Sequence, residues 1–335
     1  MRAARYHGRG GLLLEDAPDP VPGETDVVIA PSAVGLCGTD AHILAGAFPA
    51  DPPVTLGHEV AGRVVATGSG VTGLGTGDMV SVDPHQYCGG CPYCRGGSEH
   101  LCLDKKGYGV RLDGGMAELM RVPAAVCYRL PAGMPAQIGA LAEPASCCVH
   151  GIDRLSARSG LPVLIFGCGP AGLILIRLAA LAGLGPVVAA DPRPNRRGTA
   201  ARVGASVVLD PAAAHFAAVA LRETDGLGYP YIVDAVGSGR VLEQAVPLAA
   251  RGARLLSFGV ASPQDRVSLS PYDLYARELT VLGSCINPHT HARAVNLVDQ
   301  LGAGEWNVAC FGLGEISQAF AAYRAGSYDK VFVTP

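Results

Sequence analysis

The sequence predicts an α/β protein of two domains, a β-rich one followed by a doubly wound parallel sheet. Three observations carry that expectation. Short apolar strands punctuated by Gly and Pro fill roughly the first 140 residues, a strand–helix–strand rhythm takes over near Leu161, and a glycine-rich turn stands where that rhythm begins. A chain of 335 residues is long enough for two moderate domains, each burying its own core.

In the first part, residues 27–30, 60–66 and 79–82 are apolar runs bounded by turn residues, as in an irregular β domain. In the second, residues 162–166, 187–190, 206–209, 232–235, 254–258 and 279–282 are short apolar runs separated by helix-length segments, the pattern of a parallel sheet covered on both faces. Beyond Gly283 the chain reads as helix and then a strand at 330–333. Six strands already complete a nucleotide-binding sheet, so this tail is expected to return to the first domain.

With 49% apolar and 16% charged residues the composition is that of a globular protein, and a formal net charge of −3 provides no basic field for a nucleic acid backbone. The best candidate for a membrane span, residues 173–184, is too short and carries Arg177. Residues 1–11 include basic side chains with no apolar stretch behind them, so the cytoplasm is the expected location. The 11 cysteines are odd in number and four are bunched, which points to metal rather than to a disulfide framework.

Directly after the run PVLIF stands Gly167-Cys168-Gly169-Pro170-Ala171-Gly172, a GxGxxG, followed by the apolar helical run LILIRLAALAG. Glycines at a strand-to-helix turn let the backbone approach a pyrophosphate at the helix N-terminus. Asp191, nineteen residues past Gly172, ends the second strand, where a carboxylate accepts hydrogen bonds from the adenosine ribose. Its charge repels a 2′-phosphate, whereas Arg193, Arg196 and Arg197 close by have the charge to hold one; the expected cofactor is NAD, with NADP second.

Cys88, Cys91, Cys94 and Cys102 form CxxCxxCx7C. Two-residue gaps let thiolates converge on one tetrahedral ion, and four sulfurs leave no position for chemistry, so a structural zinc is expected, with an iron–sulfur cluster as the rival.

Cys37 lies in Gly35-Leu36-Cys37-Gly38-Thr39-Asp40-Ala41-His42, His58 in GHEVAG, and Glu143 in Leu141-Ala142-Glu143-Pro144. The segment GHEVAGRVVATGSGV resembles the zinc-site signature of the zinc-containing medium-chain dehydrogenases, and the Cys37 motif, the cysteine lobe, the GxGxxG and ARELTVLGS follow in that family's order over nearly the whole chain. Within it the chain is most similar to the sorbitol and threonine dehydrogenase branch, because Glu143-Pro144 replaces a cysteine ligand of the alcohol dehydrogenases. The resemblance implies a GroES-like catalytic domain over residues 1–144, completed by 287–335, and a Rossmann NAD-binding domain over 145–286. It implies that Cys37 and His58 hold a catalytic zinc, with Glu59 or Glu143, or both in exchange, as carboxylate ligand. Thr39 and His42 match the family's proton relay, and Glu59 counts among its catalytic residues. A homodimer or homotetramer, built through the edge strand of the nucleotide domain, is also implied. The expected activity is oxidation of a secondary alcohol (a polyol, cyclitol or amino alcohol) to a ketone, with a threonine 3-dehydrogenase-like enzyme or an NADP-linked ketone reductase as alternatives. A nucleotide-binding protein without catalysis fits poorly with intact zinc and relay positions.

Two departures from the family matter. Pro192 and Pro194 stiffen the loop after Asp191. After the last strand, where the sorbitol enzymes carry an arginine for polyol hydroxyls, this chain has Ser284-Cys285-Ile286-Asn287-Pro288, which argues against close mimicry of sorbitol binding. Tyr108, Asn287 and His289 are weak candidates for substrate contacts. Cys147 and Cys148 are expected as buried helix residues, and His150 as a packing residue.

Overall fold

The computed structural model describes residues 1–335, apart from the surroundings of Gly10. The chain forms two compact units, one of residues 1–146, 288–299 and 307–335, the other of 147–287 and 300–306.

The first unit is built on a mixed sheet in the order Cys127–Arg129, Met79–Val82, Glu59–Thr67, Asp26–Gly35, Lys330–Thr334, Val308–Gly312, with Met120–Pro123 paired to Asp26–Gly35 off that path. β-Branched residues dominate the central strands, and Val27, Ile29, Val34, Val60, Val64, Val80, Val331 and Val333 meet in one core. Each such side chain contributes roughly 1.5–3 kcal/mol when fully buried. The strand near the C-terminus pairs antiparallel with the central strand, Phe332 opposite Gly35 and Val333 opposite Val34.

The second unit holds six parallel strands in the order Val207–Leu209, Val187–Ala190, Val163–Phe166, Tyr229–Asp234, Ala249–Ser257, Thr280–Gly283. Numbered along the chain this is 3-2-1-4-5-6, the doubly wound order whose ligand crevice lies at the carboxyl ends of the first and fourth strands. All four residues of Val163–Phe166 and of Val187–Ala190 are buried, as continuous apolar runs between two helical layers must be. The strands Tyr229–Asp234 and Ala249–Ser257 start several residues earlier than their apolar runs, because Pro230, Arg251 and Gly252 hide the beginning of each in the sequence. Thr280–Gly283 stands at one edge with Val281 exposed, and the assembly implied by the family resemblance would use that edge.

One boundary differs from the expectation. Residues 300–306 pack in the second unit, not with the tail of the first. Arg177 Nε donates to the Gln300 carbonyl at 2.6 Å, and Arg202 donates to the Glu305 carbonyl at 3.0 Å, which fastens this short excursion to two helices of the parallel-sheet unit. Among the described residues no helix is long and apolar enough to cross a membrane.

His291 is fully buried in the first unit, its Nε2 3.0 Å from Ser81 Oγ and its ring stacked on Tyr128 at 4.6 Å. Burial pushes its pKa down to about 4, so the ring is neutral in the native state. The unfolded chain takes up a proton near pH 6.5, before the native one does. The contribution to stability is therefore complete above that pH and is lost as pH falls toward 4. Thermal unfolding at pH 7 and pH 5 should show about 2 kcal/mol of this loss. In His291→Gln that part of the slope should vanish; an unchanged slope refutes the assignment.

Candidate functional site

The strand Asp26–Gly35 runs into a turn where Cys37 caps the helix Gly38–Leu44. Asp40, in the first turn of that helix, is fully buried. One of its oxygens accepts the Cys37 N–H at 2.9 Å, and the other lies 3.5 Å from His58 Nδ1. A carboxylate facing one imidazole nitrogen fixes the ring and leaves the opposite nitrogen for an ion. Glu59 follows at the start of Glu59–Thr67.

Cys37, His58 and Glu59 each bring a ligand atom within 4.8 Å of the others. His58 and Glu59 are buried, and Cys37 is half-buried. Burial opposes charge on His58, yet the Asp40 carboxylate and the Cys37 thiolate outweigh it and hold its pKa well above the usual range. A cation entering here exchanges for a proton. Thiolate, imidazole and carboxylate around one point are the donor set of a zinc site with a position left over.

Glu143, buried in the first turn of Ala142–Leu155, lies outside the three-atom group but within its electrostatic reach. Burial pushes its pKa up to about 7, while His58 pulls it down and Glu59 raises it. Thr39 Oγ1 is 3.9 Å from Cys37 Sγ. His42, in the last turn of the same helix, is exposed. The helix thus carries the two relay candidates from the metal cluster to solvent.

Two residues at this cluster escaped the sequence reading. Asp40 sits inside the Cys37 motif but looks like an ordinary acidic residue in a first helical turn. Lys330, in the run KVFVT, forms an ion pair with Glu59 Oε2, each side chain 1% exposed. Nothing in the spacing of residues 59 and 330 announces that pair.

In the second metal-ligand group the Sγ atoms of Cys88 and Cys94 are 4.0 Å apart and those of Cys91 and Cys94 3.6 Å. A tetrahedral zinc with ~2.3 Å bonds sets its sulfurs about 3.8 Å apart. A multi-iron cluster would spread them, one to each iron, so these separations favour the single ion. Backbone N–H groups point at the sulfurs, Cys91 to Cys88 and Cys88 to Cys102, both at 3.3 Å. Such donors pull the Cys91 thiol down to about 6 and lower Cys102, whereas burial pushes Cys94 up to about 12, so a full set of thiolates needs the charge of a bound cation.

In the parallel-sheet unit, Gly167 leaves the strand with φ +94°, and a Cβ on Gly172 would overlap the Gly167 carbonyl, so the turn requires glycine at both places. Gly169 caps the helix Pro170–Leu181, with Pro170 in its first position and Ala171 next. Arg196 lies beside Gly169, and its Nε is buried with no hydrogen-bond partner among the described residues, a donor set for an anion at that helix N-terminus. Asp191 is buried, and its oxygens accept the N–H of Cys168 and of Arg193, both at 2.8 Å. It therefore braces the glycine turn against the next loop, and its remaining lone pairs are what a ribose would meet. Arg197 is engaged with the Asp191 carbonyl at 2.6 Å and with Asp210 at 3.5 Å.

The weaker candidates scatter. Tyr108 is buried near Asp26 and Arg121, and His289 pairs with Glu99 at 3.0 Å; neither belongs to the three-residue group. Asn287 is fully buried, with neither amide atom hydrogen-bonded among the described residues. Cys148 is buried, its thiol donating to the Ala171 carbonyl, while Cys147 and His150 are half-buried.

Comparison with known proteins agrees with this geometry. Residues 23–132 match the alcohol dehydrogenase GroES-like domain, and residues 170–300 match the zinc-binding dehydrogenase domain. The chain is 34% identical to an L-threonine 3-dehydrogenase of Pyrococcus horikoshii, over 97% of this chain and 95% of that one. It is 36% identical to a D-altritol 5-dehydrogenase of Agrobacterium fabrum, over 85% and 84%. A solved structure from Sinorhizobium meliloti 1021, titled as a zinc-binding dehydrogenase bound to NADP, superposes with a TM-score of 0.95 at 34% identity, covering 100% of this chain and 99% of the other. With both domains matched and relatives at this level along nearly its full length, the chain belongs to the zinc-containing medium-chain dehydrogenases, enzymes of the alcohol and polyol dehydrogenase type.

Proposed function

We propose that this enzyme oxidises a secondary alcohol of the polyol, cyclitol or amino-alcohol class to a ketone, with NAD as hydride acceptor. The observation that carries the reading is the convergence of Cys37, His58 and Glu59 within 4.8 Å in the first unit. A zinc held by Cys37, His58 and a carboxylate would supply the Lewis acidity that lowers the pKa of an alcohol hydroxyl toward neutrality, and a bound nicotinamide would be the hydride acceptor. Asp40 keeps His58 in the orientation and tautomer a metal ligand needs. Thr39, beside Cys37, would accept the proton of the substrate hydroxyl while giving its own to the cofactor ribose, from which exposed His42 would release a proton to water. Gly167 to Gly172 with Arg196 would hold the pyrophosphate, and Asp191 the ribose.

The buried negative charge of Asp191 supports NAD. The NADP in the Sinorhizobium structure favours a second reading, an NADP-linked ketone reductase, and the threonine dehydrogenase relative favours L-threonine as substrate. A panel of polyols, cyclitols, L-threonine and simple secondary alcohols, assayed with both cofactors, separates these readings. NADH formation with at least one member, and a higher kcat/KM for NAD, is the expected result; preference for NADP overturns the cofactor assignment. Replacing Asp191 by Ser should shift that preference toward NADP by roughly 10-fold, about 1.4 kcal/mol.

Removal of the outer relay group in His42→Ala should lower turnover on the order of 10-fold below neutral pH, less above it, with partial rescue by small imidazole buffers. An unchanged pH profile removes His42 from the relay.

A further inference from the structure

A buried lysine stands among the donors of the proposed metal centre, where a fixed positive charge works against binding a dication. Lys330 and Glu59 are each 1% exposed and form an ion pair through Glu59 Oε2. They lie on strands that are not hydrogen-bonded to each other. Glu59–Thr67 and Lys330–Thr334 flank Asp26–Gly35 on opposite sides, and Gly35, level with Glu59 in one register and with Phe332 in the other, stands between them. The two side chains meet over that residue only because it has no side chain. A Cβ built on Gly35 would overlap Glu59 Oε2 and come within 2.9 Å of Lys330 Cε. Cys37 follows two residues later, so the ion pair lies against the thiolate end of the cluster.

The consequence concerns coordination number. With Cys37 and His58 in place, a glutamate binding through both oxygens already supplies four donors, and water or alcohol can then enter only as a fifth. A glutamate with one oxygen committed elsewhere can offer only the other. We propose that Lys330 is a positioning residue of the metal centre: by holding Glu59 Oε2 across Gly35 it restricts Glu59 to a single donor oxygen and keeps one coordination position open for the alcohol. This rests on the metal reading above. The lysine accordingly trades ion affinity for an exchangeable site.

The test is coordination itself, read by d–d absorption on protein with cobalt at the Cys37 site and zinc retained in the four-cysteine lobe, with zinc affinity at the Cys37 site measured by chelator competition. Wild type and Lys330→Arg should show the intense bands of four-coordinate cobalt. In Lys330→Met, Glu59 is released to bind through both oxygens beside the water already there, the ion becomes five-coordinate, the bands should weaken several-fold, and zinc should bind on the order of 10-fold more tightly as the opposing charge is gone. Should Lys330→Met fail to fold because it strands a buried carboxylate, Gly35→Ala, which keeps both charges and displaces their meeting point, should give the same weakening of the bands. Wild-type spectra in the folded variants overturn the proposal while the metal site stands. If wild type holds a single metal ion that survives Cys37→Ser, the metal reading itself fails and takes the inference with it.

Discussion

A thiolate, an imidazole and a carboxylate crowd within 4.8 Å at the edge of a hydrophobic core, and that crowding is the constraint on which the rest of the site depends. Donors of this kind do not gather in a buried place without a cation, because each loses water and the anions repel. The surroundings answer that demand in a graded way. Asp40 pairs with His58, Lys330 pairs with Glu59, and the remaining donor capacity fits one divalent ion.

The fold supplies the positions. Cys37 caps the helix two residues beyond the central strand of the mixed sheet, Glu59 begins a neighbouring strand, and Lys330 begins the strand on the other flank. Two of these strands are adjacent in neither sequence nor space, and only the long return of the chain after the parallel-sheet unit brings the third into place. The glycine turn shows the same economy on a smaller scale: Asp191 fastens it to the loop that follows the second strand with two backbone hydrogen bonds.

Much of this was legible in the sequence, and the reasons differ by element. The glycine turn could be read because its geometry admits no other residue: Gly167 has a left-handed φ and Gly172 abuts the backbone. The cysteine lobe could be read because its ligands are local, so spacing alone implies convergence. Cys37, His58 and Glu143 needed a family resemblance, since residues so far apart carry no spacing signal. Lys330 was hidden altogether, because a charged residue opening an apolar strand ordinarily marks an exposed end, and only the missing side chain of Gly35 makes room for it inside. The excursion of residues 300–306 was hidden as well, since what fastens it are backbone carbonyls, to which sequence is silent.

The account stands or falls on an ion between Cys37 and His58. The most direct measurement is anomalous diffraction at the zinc edge from crystals of the purified protein. It should show two peaks in each chain, one inside the four-cysteine lobe and one bonded to Cys37 Sγ and a His58 ring nitrogen at about 2.3 and 2.0–2.1 Å. A fully occupied peak in the lobe, with none at Cys37 and His58 in protein that oxidises alcohols, would contradict it.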